Sequence, residues 1–171
     1  MARAKRLYYQ NAVYHICIRG NNRQYILQKE EDKISFLESL EKFRARFRFK
    51  VYCLVVMDNH VHAIIKTNTL INISKIMQAV TLSYSVKFRK KYGYAGYVWQ
   101  GRFRSNIIEG DRYIIECIEY IHNNPVRAKI VGRIEDYPWS SFHLYQGIGS
   151  HIKDHIHIDR FNCFEDGDTS S

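Results

Sequence analysis

The chain is short of several things, and each shortage narrows what it can do. Its four cysteines, Cys17, Cys53, Cys117 and Cys163, stand far apart. None forms the Cys-x-x-Cys spacing of a zinc knuckle or dithiol redox site, so they read as buried thiols in a reducing compartment. No apolar run approaches the ~18 residues of a membrane span, and no hydrophobic stretch follows the basic start Met1-Ala-Arg-Ala-Lys-Arg-Leu7. A cytoplasmic protein with no membrane contact is expected. Repeats and low-complexity segments are missing too. Acidic residues are in the minority, 17 against 26 Lys plus Arg, which leaves a net charge of +9 and a pI near 9.4. That balance favours a polyanionic partner, nucleic acid first, over an acidic small molecule.

What is present is enough for one packed domain. The 171 residues are 46% hydrophobic and 14% aromatic, enough for one core and too few to make two comfortable. We expect a domain over residues 1–146 and a peripheral polar tail over 147–171, its last six residues disordered. Arg3, Lys5 and Arg6 suit a basic arm on phosphates. Residues 12–18 alternate as a strand, and Arg19-Gly-Asn-Asn-Arg23 turns the chain, Gly20 and both asparagines tolerating positive φ. Phe36, Leu40, Phe43 and Phe47 recur at helical spacing behind an acidic start at Glu30. Residues 51–56 and 61–66 form an antiparallel pair, and 71–91 a second helix. A strand over 98–108 puts Arg102, Arg104 and Asn106 on one face, with Trp99 reading as core. A third helix, opened by Asp111, runs to Asn124-Pro125 with Ile114, Cys117, Ile118 and Ile121 buried. The first six elements spell βαββαβ, so the fold class is α+β: a ferredoxin-like sandwich with an antiparallel sheet and helices on one face, plus a C-terminal helix.

The chemistry centres on Met57-Asp-Asn-His-Val-His62. Histidines two apart on a strand project from one face, so His60 and His62 can converge on one metal ion. Their site asks for a partner. On the third helix, at ~100° per residue, Tyr113, Tyr120 and Asn124 share one sector, and only Tyr120 lies within a turn of Asn124, about 6 Å along the axis against about 16 Å for Tyr113. Tyr120 is the nucleophile candidate. Arg19 and Arg23 bracket the first turn, and Arg102 and Arg104 lie beside the aromatic loop 92–97; together they suit single-stranded DNA, whose backbone needs cations. A second pair, His155 and His157, has no tyrosine nearby and reads as a decoy.

Met57-Asp-Asn-His-Val-His62, Trp99-Gln-Gly-Arg-Phe-Arg104, Tyr120-Ile-His-Asn-Asn-Pro-Val-Arg-Ala128 and Asp136-Tyr-Pro-Trp-Ser-Ser141 resemble the signatures of the REP-associated tyrosine transposases, within the single-tyrosine HUH superfamily. Ala12-Val-Tyr-His-Ile16 and Arg19-Gly-Asn-Asn-Arg23 fit the same pattern, over about residues 3–145. Asp58 departs from it, standing where proline is usual and setting a carboxylate near the histidines; Asn123 stands where an apolar residue is usual. The resemblance implies an HUH nuclease that cleaves and rejoins single-stranded DNA next to hairpins through a 5′-phosphotyrosine. It implies His60 and His62 as metal ligands completed by Asn124, Tyr120 as nucleophile, and Arg127 among the DNA-contacting residues. Imidazole with oxygen favours an ion such as Mn²⁺ over Mg²⁺, while the resemblance implies Mg²⁺. A phenol is protonated at neutral pH and gains from such a cation. The partner expected is single-stranded or hairpin DNA, bound by a monomer or a homodimer. The competing readings are a catalytically silent DNA-binding protein of the same fold and an HUH replication or conjugation nickase.

Overall fold

The computed structural model describes residues 8–162. Its elements run β1 (Val13–Arg19), α1 (Glu30–Phe47), β2 (Lys50–Val56), β3 (His60–Lys66), α2 (Ile73–Tyr92), β4 (Arg104–Ile108) and α3 (Asp111–His122), then the short helices α4 (Asn124–Arg127) and α5 (Phe142–Tyr145). The strands lie in the order β2-β3-β1-β4, every neighbour antiparallel. This is the ferredoxin-like arrangement that the βαββαβ order calls for.

β2 is buried along nearly its whole length, which requires cover on both faces of the sheet. On one face Tyr14, Ile16, Ile18, Val61, Ala63 and Ile65 are buried, and α1 and α2 pack together over them. Trp99 joins this core: its ring lies 5.8 Å from Phe36 of α1 and 5.4 Å from Tyr84 of α2, and its Nε1 donates to Thr81 O at 3.2 Å. The opposite face carries His15, Cys17 and Arg19 of β1 across from Ile64, His62 and His60 of β3. Helix α3 packs against β2 and β3 on that side, with Cys53 Sγ 4.0 Å from Ile118 O. Among the described residues no helix is long and apolar enough to cross a membrane.

Several sequence expectations need correcting. β4 starts at Arg104, six residues later than expected: Trp99 makes a lone bridge with Gly20, and Gly101 at φ 61° breaks the extended path. Arg102 therefore precedes the strand. Gly20 has φ −59°, so glycine is needed there for room; a Cβ would collide with Gln24 O. The positive φ angles of the turn belong to Asn22 and Arg23. Gly110, not Asp111, is the N-cap of α3, and Asp111 is its first residue, where a carboxylate suits the helix dipole. Of the cysteines among the described residues, Cys17 and Cys117 are half-buried and Cys53 is fully so.

The tail is the largest correction. Ile152, Ile156, Ile158 and Phe161 are buried, and Phe161 packs on Tyr52 at 5.3 Å. Asp159 N donates to Val51 O at 2.8 Å, while Val56 N donates to Trp139 O and Ser141 N to Leu54 O. These contacts cover the outer edge of β2, which would otherwise offer unpaired backbone groups. The stretch after Gly147 is thus part of the domain at least to Phe161. The basic arm at Arg3, Lys5 and Arg6, Cys163 and the last six residues lie outside the described residues.

Candidate active site

His60 and His62 project from the α3 side of β3, their rings 5.1 Å apart. Each ring is held through Nδ1. His60 Nδ1 donates to Asn59 Oδ1 at 2.5 Å, since an amide oxygen can only accept. His62 Nδ1 lies 3.0 Å from Nε2 of His15, a third histidine supplied by β1. When His62 donates in that pair, both Nε2 lone pairs remain for a ligand, because each ring's Nδ1–H is already engaged. Burial, assisted by the charge of Arg19 across the strand, lowers the His60 pKa to about 4. Burial, then His60, His15 and Arg19, lowers His62 to about 3. Burial also lowers His15. The imidazoles are therefore neutral near pH 7, the form that coordinates metal.

Helix α3 brings the tyrosine. Ile114, Ile118 and Ile121 anchor its apolar stripe, leaving Tyr120 42% exposed beside the histidines. Its ring meets His15 edge-on at 6.3 Å, and His15 meets His62 at 5.3 Å, so Tyr120, His15, His62 and His60 form a continuous row. The Arg127 guanidinium lies 4.7 Å from the Tyr120 ring centroid, a cation–π contact that helps fix the ring's position. Asn124 stands where α4 begins, and its Nδ2 donates to Tyr120 O at 3.1 Å and Ile121 O at 3.3 Å. That fixes the amide and leaves Oδ1 with no hydrogen-bond partner among the described residues.

Imidazole nitrogen and amide oxygen are donor types that a divalent ion accepting both would take. Among the described residues no three His, Cys, Asp or Glu side chains group to hold one. An ion here would rest on two imidazoles and the Asn124 amide oxygen, a neutral set that leaves positions for phosphate oxygens. Asp58, expected near the histidines, turns elsewhere: its carboxylate is 2.6 Å from Lys33 Nζ.

The arginines converge as well. Arg19, Arg23, Arg102 and Arg104 line one open cleft of about 500 Å³ together with Gln100 and Gly101. It adjoins the histidine row, since Arg19 pairs with His60 across the strands and Arg104 with Cys17. The floor is pinned by Gln100 N donating to Arg19 O at 2.8 Å and Asn21 N to Val98 O at 2.9 Å. None of the four forms an ion pair with a described carboxylate. His155 and His157 line a separate recess with Glu41 and Arg160, where His157 lies 3.7 Å from Asp159. Sequence reasoning missed His15 as a site residue. Its signal was a place in the first strand, which the expected ferredoxin-like order sets beside β3; the register that brings it to His62 is written in neither strand alone.

Residues 8–124 match the family described as transposase IS200 like. A Haemophilus influenzae protein named as a REP-associated tyrosine transposase is 25% identical over 136 residues, spanning 69% of this chain and 77% of its own. A solved REP-associated tyrosine transposase bound to a REP hairpin superposes with a TM-score of 0.73 at 21% identity, covering 95% of this chain and 94% of its own.

Proposed function

The chain belongs to the IS200-like transposase family, and from that premise we propose that it cuts and rejoins single-stranded DNA beside a hairpin with Tyr120 as nucleophile. The observation that carries this reading is the row from Tyr120 through His15 to His62 and His60 on one face of the sheet. A tyrosine within reach of two neutral imidazoles is costly to arrange for packing alone, and the arginine cleft beside it suits a phosphate backbone.

The arginines hold the strand so that one phosphate faces Tyr120. The phenol oxygen attacks phosphorus and the bond to the 3′ oxygen breaks; the phenol releases its proton and the departing oxygen takes one up. The products are a 5′-phosphotyrosine and a free 3′-hydroxyl. A second 3′-hydroxyl attacking that linkage releases Tyr120 and joins a new strand, with the bond energy conserved. Mg²⁺ or Mn²⁺ held by His60, His62 and Asn124 would supply Lewis-acid stabilisation of charge on the phosphate. Arg127, over the Tyr120 ring, holds that side chain in place. The solved relative bound to a REP hairpin supports hairpin DNA as the partner.

Tyr120→Phe removes one oxygen and little packing, so this variant should bind hairpin DNA normally and form no covalent adduct. The readout is a denaturing gel with DNA labelled on the 3′ side of the break, because a 5′-phosphotyrosine retains that fragment. Tyr113→Phe should still react, and His60→Ala and His62→Ala should bind without cutting. An adduct persisting in Tyr120→Phe would sink the mechanism. Nothing in the structure favours the silent DNA-binding alternative, whose one support in the sequence was Asp58.

A further inference from the structure

Tyr113 shares a helix face with Tyr120 in the sequence yet takes no part in the chemistry above, and its placement gives it another use. It is 65% exposed at the start of α3 and lines an open recess of about 420 Å³ between that helix and β4, with His15, Asn106, Ile107, Glu109 and Cys117. His15 belongs to both this recess and the reactive row, so the two are contiguous. Its lining is the chemical opposite of the arginine cleft. No Lys or Arg faces it, and Glu109 at its wall would repel a phosphate. An aromatic ring, apolar side chains and a primary amide suit the face and edge of a base. Neither the Asn106 amide nor the Tyr113 hydroxyl makes a hydrogen bond among the described residues. On β4, Asn106 and Arg104 project from the same face, which places base-type and phosphate-type contacts one step apart along a strand.

We propose that this recess takes one unpaired nucleobase of the single strand next to the bond that Tyr120 attacks, with Tyr113 stacking on its face and Asn106 reading its edge. An amide offers an acceptor and a donor, which matches the amino group and ring nitrogen that unpaired adenine and cytosine both present, and Glu109 can accept from the same amino group. Of the two, the larger purine face stacks better on Tyr113. The base expected is therefore adenine. The inference rests on the reading of Tyr120 as nucleophile for single-stranded DNA, and it adds a determinant of which sequence is cut.

The test uses the full chain with hairpin oligonucleotides bearing single-stranded flanks, each flank position made adenine, thymine or abasic in turn. Binding is read by fluorescence anisotropy and adduct formation by gel in the same samples. At one position an abasic residue should weaken wild-type binding roughly tenfold. In Asn106→Ala and Tyr113→Leu that penalty should shrink toward none, with the adenine preference lost in Asn106→Ala. A penalty as large in both variants as in wild type, or no flank position sensed by the wild type at all, would overturn the proposal. Adduct without any base signature would remove the recess and leave the Tyr120 chemistry standing. A base signature without adduct would do the reverse.

Discussion

Asp58 shows how a single side chain can mislead when read from sequence. A carboxylate two residues before the paired histidines looks like a ligand or a disturbance of the site. In the structure it serves the core instead: Lys33 is 4% exposed and its ammonium is held by Asp58 Oδ1 at 2.6 Å, Leu27 O at 2.6 Å and Gln28 O at 3.2 Å. Burying an ammonium costs several kcal/mol unless its donors are met, and three donors here meet three oxygens. Asp58→Ala leaves two carbonyls and an uncompensated charge. Because Asp58 is itself 43% exposed, solvent screening limits the loss to about 1–3 kcal/mol. Urea unfolding should show that decrease, while adduct yield at 25 °C stays at the wild-type level. Normal stability with lost cleavage would mean that Asp58 acts on the site after all.

Helix α3 and the chain beyond it are secured by groups that only tertiary structure brings together. His122 is buried at the end of α3, its Nε2 2.8 Å from Ser141 Oγ, and that oxygen also accepts from Leu54 N of β2. Burial, followed by the nearby His143, lowers its pKa to about 4. Above pH 6.5 neither folded nor unfolded chain protonates it. As the pH falls from 6.5 to about 4 the unfolded chain takes up a proton that the folded one refuses, so stability is lost, on the order of 3 kcal/mol from this residue. His60 and His62 act in the same direction. Urea midpoints at pH 7.5 and 4.5 measure the loss, and His122→Gln should have a shallower acid slope. A chain ending at Gly147 should fare worse. Removing buried Ile152, Ile156, Ile158 and Phe161 costs roughly 1.5–3 kcal/mol each, enough together to unfold a typical domain, and bares the edge of β2. Circular dichroism melting and light scattering would show it; a cooperative transition at the wild-type temperature would contradict the packing argument. The helices and most strands were legible because their apolar periodicities are unbroken, and the His-x-His spacing and Tyr120 because strand and helix geometry fix them locally. His15 was not, since its place beside His62 depends on the register between β1 and β3, which the strand order alone does not give. The tail was not, since isolated isoleucines among polar residues acquire meaning only against Tyr52 and the edge of β2.

Taken whole, the molecule separates its charge from its chemistry. The net charge of +9 is spread over the chain, yet four arginines with no carboxylate partner among the described residues gather in one cleft on the same face as the histidine row. If each neutralises one phosphate of a single strand, the logarithm of the binding constant should fall with the logarithm of salt at a slope near −3, about −0.7 for each contact. Arg102→Ala or Arg104→Ala should each reduce that slope by about 0.7 and weaken binding to every sequence alike, because a phosphate contact positions a strand without reading it. Asn106→Ala should leave the slope unchanged. Titrations of a hairpin oligonucleotide with a single-stranded flank at several salt concentrations separate these effects. A wild-type slope near zero, or one that no arginine replacement alters, would place the DNA somewhere other than this cleft. Slopes that fall only when Arg19 and Arg23 are replaced would confine the backbone to the first turn and leave the approach to β4 free of phosphate.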